Sequence, residues 1–141
     1  MCTPYTQFRL TAHNHNTWLV LHTIDTRTRT PPTACTPSTA FYDGRKKTEC
    51  AALFDDTPHT ESCFATQPER SPYLAFSYDQ PLALTSYALA TTDACGPSYA
   101  PTQWALEGRN NTTQPWTLID THTQTQWTRH VSERTLACAA P

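Results

Sequence analysis

Glycine is scarce in this chain, with only 3 in 141 residues. That leaves little material for a Gly-rich phosphate loop and argues against a nucleotide binder. Long apolar runs are missing too, and no stretch approaches the roughly 20 residues needed to span a bilayer. Charge is sparse, at 16% charged residues with net charge -2 and pI ≈ 6.3. So even and slightly acidic a balance disfavours a nucleic-acid partner and a disordered acidic tail. No CxxC pair, no HExxH and no Gly-x-Ser-x-Gly elbow occurs, so zinc ribbons, zincins and serine-hydrolase elbows lack their signatures. Spacing alone defines no glycosidase carboxylate pair. The expectation is a protein that is not an enzyme.

What is abundant points one way. Threonine is the commonest residue, at about 27 copies, and there are 12 prolines. Thr is stiff at χ1, disfavours helix interiors and suits strands. The composition therefore excludes helix bundles and coiled coils and favours one all-β domain over residues 1–141.

Phe8, Leu10 and Ala12 alternate with Arg9 and Thr11, the mark of a half-buried strand. A polar turn at His13–Asn16 and the apolar run Trp18–Ile24 would make residues 5–25 a hairpin. Pro31, Pro32 and Pro37 mark 26–40 as an exposed loop with short edge pieces. A helical turn is expected at 49–54. Leu74, Phe76 and Tyr78 alternate before a turn expected at Asp79-Gln80-Pro81, with the next strand over Leu82–Leu89. Trp104 and Leu106, then Trp116 and Leu118, alternate further on. About seven or eight short strands at spacings of roughly 8–12 residues predict a sandwich or barrel.

The six cysteines are Cys2, Cys35, Cys50, Cys63, Cys95 and Cys138. They can form up to three disulfides or stay as buried thiols. No basic or apolar leader follows Met1, so a reduced intracellular protein and a secreted or cell-surface one both stay open. Asn110 and Asn111 head formal glycosylation sequons, which matter only in a secreted chain. A Cys2–Cys138 bridge would tie the termini.

The order of motifs over 72–120 is more specific. Pro72-Tyr73-Leu74-Ala75-Phe76-Ser77-Tyr78-Asp79 is followed by Pro81–Leu89. Then come Pro101-Thr102-Gln103-Trp104-Ala105-Leu106-Glu107-Gly108 and Trp116-Thr117-Leu118-Ile119-Asp120. This run resembles the discoidin family, also called coagulation-factor type C, within the galactose-binding-like jelly rolls. Ala52–Thr60 is similar to that family's aspartate loop. Tyr5–Ala12 resembles the strand that usually closes such domains at the C-terminus, and here it comes first. Asp56 stands at the Gly of the aspartate loop, and Ser62-Cys63-Phe64 stands where a Trp is expected.

The resemblance implies a β-sandwich jelly roll whose closing strand comes from the N-terminus. It also implies a non-catalytic module that binds carbohydrate or a glycoprotein through loops at one end. Candidate ligand residues are His59, Arg70, Tyr99 and Arg109, with Trp127 as an aromatic platform at the surface. Asp55, Asp56 and the backbone near Thr60 are the implied ligands of a structural Ca²⁺. Cys63–Cys95 is the implied disulfide. Trp104 and Trp116 read as core, joined by Trp18 and Tyr87. His13 and His15 fall close enough to share a metal or form a polar turn, and Arg45-Lys46-Lys47 is a short basic cluster. The alternative is a small interaction subunit docking into a larger protein assembly.

Overall fold

Every-other-residue burial organises the chain. In the computed structural model, which describes residues 2–28, 30–39, 46–47, 50–54, 63–91, 99–124, 127 and 131–139, the regular elements are strands and short 3₁₀ turns. The strands are β1 Tyr5–Ala12, β2 Val20–Leu21, β3 Thr23–Asp25, β4 Ala34–Pro37, β5 Lys46–Lys47 and β6 Cys63–Ala65. They continue with β7 Tyr73–Leu82, β8 Ser86–Ala90, β9 Gln103–Arg109, β10 Thr117–Thr123 and β11 Val131–Thr135. The turn expected at 49–54 forms as a 3₁₀ turn over Cys50–Phe54. None of the described helices is long and apolar enough to cross a membrane.

One sheet has the order β10-β9-β1-β7-β4, and two smaller ones run β11-β8-β3 and β2-β6-β5. All pairings are antiparallel except β5 with β6. β1 occupies the middle of the large sheet: Leu10 faces Leu74 on β7 and Leu106 on β9. The expected hairpin over 5–25 is therefore corrected. β1 takes its partners from far along the chain, while β2 and β3 join the other two sheets. The turn expected at Asp79-Gln80-Pro81 is also corrected, because β7 continues to Leu82. Its register slips there, with Gln7 opposite Ser77 but Tyr5 opposite Leu82. An irregular segment of this kind tolerates a proline that has no N–H to donate.

The large sheet and the β11-β8-β3 sheet meet face to face, giving an all-β, sandwich-like fold. A void of only about 10 Å³ is bounded by Leu10, Phe76 and Leu106 from one layer and Ile24, Tyr87 and Leu89 from the other. Phe8 stacks on Phe76 with centroids 5.5 Å apart. Polar bonds cross between the layers as well. Trp104 Nε1 donates to Tyr87 Oη at 2.9 Å, and the Tyr87 hydroxyl donates to Asp120 Oδ2 at 2.7 Å. Arg134 grips the same carboxylate through two bonds of 3.0 Å each. β8, β9, β10 and β11 are thus linked by one chain of side chains. Among the described residues no buried polar side-chain atom lacks a partner.

Cys2 and Cys138 are bonded, as the ends of the chain suggested, and Cys35–Cys50 forms a second bridge that the sequence reading did not single out. Of the implied Cys63–Cys95 pair, Cys95 lies outside the described residues. Gly108 is required by close approach. A Cβ there would lie 2.5 Å from Tyr5 Cδ2 and 2.9 Å from Ile119 Cδ1.

Gly108→Ala is expected to cost about 1–3 kcal/mol by overpacking, read as a lower denaturant midpoint. Burial raises the Tyr87 phenol well above its ordinary value of 10.0. The unfolded chain then releases this proton first, so the contribution is complete below about pH 10 and is lost as pH rises beyond it. In alkaline unfolding experiments, wild type should lose more stability above about pH 10 than Tyr87→Phe.

Candidate functional site

The inward alternation of β1, β7 and β9 sends their other residues to the outer face of the large sheet. Gln7 and Arg9 on β1 meet Arg109 and Glu107 on β9. Ala75 and Ser77 on β7 meet Thr36 and Ala34 on β4. Arg9 donates from Nε and Nη2 to Glu107 Oε1 at 3.0 and 2.8 Å. Arg109 donates from Nε to Gln7 Oε1 at 2.7 Å.

The connection after β9 brings an aromatic ring onto this face. Asn111 Oδ1 accepts from Thr113 N, and Asn110 N donates to Gln114 Oε1, which closes a tight turn. Asn110 Oδ1 accepts from Thr6 N and fastens that turn to β1. Trp116 leaves the turn just before β10 begins. The Arg109 guanidinium lies 4.0 Å from its ring centroid and that of Arg9 lies 4.8 Å away. The expectation that Trp116 belongs to the core is corrected. Standing outside the β10 ladder, it is half-buried against two guanidinium groups. Beside it a depression of about 160 Å³ is lined by Gln7, Thr36, Ser77, Arg109, Thr112 and Trp116.

The end loops were the expected site, and the structure divides the candidates. Arg70 and Tyr99 sit on exposed loops at the end of the sandwich marked by Ala12, Tyr73 and Gln103. Tyr99 stacks on Trp18 at 5.7 Å. Arg109 is at the opposite end of β9, roughly 20 Å along a seven-residue strand, so Arg109 and Tyr99 do not form one site. Trp127 is corrected from a surface platform to a buried residue, 8% exposed. Despite its polar sequence surroundings it stacks on Trp104 at 6.0 Å and donates from Nε1 to the Pro101 carbonyl at 3.0 Å. Trp104 and Tyr87 are in the core as expected, whereas Trp18 is half-buried and packs against the smaller cluster of Val20 and Ala65.

His15 is buried and donates from Nε2 to the Trp18 carbonyl, while His13 is exposed. The imidazole of His15 thus serves its own loop. Among the described residues no group of three His, Cys, Asp or Glu side chains could hold a metal ion. His59, Asp55, Asp56 and Thr60 lie outside the described residues, and so does Arg45. Gln7, Thr36, Ser77, Thr112 and Trp116 were missed as site residues. The available signal was the outward phase of β1 and β9, which places Gln7 and Arg109 on one face.

Comparison with protein-family models, with curated proteins and with solved structures finds no match.

The Arg109–Trp116 contact should be energetically measurable. A double-mutant cycle with Arg109→Ala and Trp116→Ala, read by chemical unfolding, is expected to give a coupling of about 0.5–1 kcal/mol. Additive costs would show that the two groups merely lie close together.

Proposed function

We propose that this protein is a non-catalytic binding module for carbohydrate or a glycoconjugate, and that the outer face of the large sheet is its recognition surface. The depression beside Trp116 carries this reading. Sugar recognition needs an aromatic surface for C–H faces and convergent donors and acceptors for hydroxyls. Trp116, the Gln7 amide, the Thr36, Ser77 and Thr112 hydroxyls and the Arg109 guanidinium supply both within one concavity. Ala34 and Ala75 leave space where larger side chains would fill it. Held on strands and on one short turn that is hydrogen-bonded to β1, these groups are pre-organised, which lowers the ordering cost of binding.

We further infer a galactose-binding-like jelly roll closed by its N-terminal strand. The motif order over 72–120 and the seat of β1 between β7 and β9 support it. The two disulfides suit an oxidising compartment, where such a module would meet glycans.

A second reading, as an interaction subunit of a larger assembly, is favoured by a different feature. Leu118 is 60% exposed. It borders a groove of about 240 Å³ shared with Tyr5, Leu84, Ile119 and the Cys2–Cys138 bridge.

A glycan array followed by calorimetry distinguishes the two. The binding-module reading expects a saturable glycan ligand whose affinity falls at least tenfold in Trp116→Ala and in Ser77→Leu, both of which remain folded at the assay temperature. A blank array, together with protein assembly lost in Leu118→Glu, would transfer support to the subunit reading.

A further inference from the structure

The outer face carries two arginines with unequal charge balance. Arg9 is matched by Glu107, which takes two of its N–H groups on one oxygen. Arg109 spends its Nε–H on a neutral amide oxygen, Gln7 Oε1. No carboxylate among the described residues forms an ion pair with Arg109. It is nevertheless half-buried, held against the Trp116 ring and the wall of the depression.

Drawing a guanidinium partly out of water without a counter-charge is costly. The indole face offsets part of that cost, since its quadrupole attracts a cation. What the indole cannot do is accept the remaining N–H bonds, because a guanidinium has five donors in a fixed planar fork. Such a fork matches two oxygens of a carboxylate or a sulfate. Gln7 and Trp116 together fix the plane of Arg109, so little further ordering is needed on binding.

The surroundings limit what the anion can be attached to. The depression holds about 160 Å³, well under the ~300 Å³ of a drug-sized pocket, so it accommodates a single ring-sized unit. Its other polar groups are hydroxyls and an amide, which suit a hydroxylated ring. The chain as a whole carries net charge -2, so diffuse attraction for anions would not favour such a ligand; only the local cation would.

We propose that the ligand is acidic: a sugar unit bearing a carboxylate or sulfate that pairs with Arg109 while its ring lies beside Trp116. This rests on the carbohydrate reading above and narrows it. Arg109 is then the specificity-determining residue, and Arg9, neutralised by Glu107, holds the ring of Trp116 in place.

Calorimetry with the intact disulfide-bonded chain tests this. The probes are an oligogalacturonate, a sulfated heparin oligosaccharide, a neutral galacto-oligosaccharide and inorganic sulfate. At least one acidic oligosaccharide should bind tenfold or more tightly than the neutral one, and weaken as salt is raised. Whichever acidic probe binds identifies the anion as carboxylate or sulfate. Arg109→Gln should abolish the preference and leave residual neutral binding, and Arg109→Lys, which keeps charge but not the fork, should restore it only in part. Cooperative unfolding within a few degrees of wild type and unchanged far-ultraviolet dichroism in both variants exclude misfolding. Equal affinity for acidic and neutral sugars, or a preference that survives Arg109→Gln, would overturn the acidic-ligand proposal and leave the carbohydrate reading standing. Inorganic sulfate binding as tightly as the acidic sugars would overturn it as well, revealing a bare anion site. No binding of any oligosaccharide, with a blank array, would remove both.

Discussion

The insertion of β1 between β7 and β9 is the constraint on which the rest depends. Without it the large sheet would separate into two pairs, β10 with β9 and β7 with β4. One face of β1 supplies Phe8, Leu10 and Ala12 to the core. The other supplies Gln7, which holds Arg109, and Arg9, which is held by Glu107. Core and proposed recognition surface are therefore two sides of the same eight residues. The partners of β1 lie more than sixty positions along the chain, so closing the sheet carries a large loop entropy that the buried aromatic contacts must offset. The Cys2–Cys138 bridge, spanning 136 positions, reduces that entropy in the unfolded chain, an effect of roughly 3–5 kcal/mol for loops of this size.

The second layer is thinner and is secured differently. β3, β8 and β11 are short, and their sheet contributes Ile24, Tyr87 and Leu89 to the interface. The polar chain from Trp104 through Tyr87 and Asp120 to Arg134 fixes how it sits on the large sheet. Each of those groups is consumed by the next. Burial and the Asp120 carboxylate both keep the Tyr87 phenol protonated, which suits a structural hydrogen-bond donor. The outer face has no such closure, because Arg109 retains donors and Trp116 is half-covered.

The all-β character was legible from threonine abundance and from period-two alternation in β1, β7 and β9. The inward phase of those strands was read correctly at Phe8, Leu74 and Trp104 because one buried face leaves a clean record. Strand partners were not legible. Hydrophobic periodicity reports which face is buried but not which strand lies alongside, so 5–25 reads as a hairpin although β1 pairs with β7 and β9. Trp116 and Trp127 exchanged their expected roles for a similar reason. A tryptophan's surroundings in sequence do not disclose whether its ring will find an indole or a guanidinium to lie on. The candidate site was half legible: Arg109 was singled out, but with Tyr99 and Arg70, which the strand length places at the other end of the sandwich.

Amide hydrogen exchange by nuclear magnetic resonance tests the role of β1 most directly. If β1 is the central strand, the amides of Phe8 and Leu10 exchange only through global unfolding and are protected far more than those of the edge strand β10. Exchange at β1 as fast as at β10, with the β7 and β9 amides still protected, would show that the sheet holds together without β1 and would contradict the account.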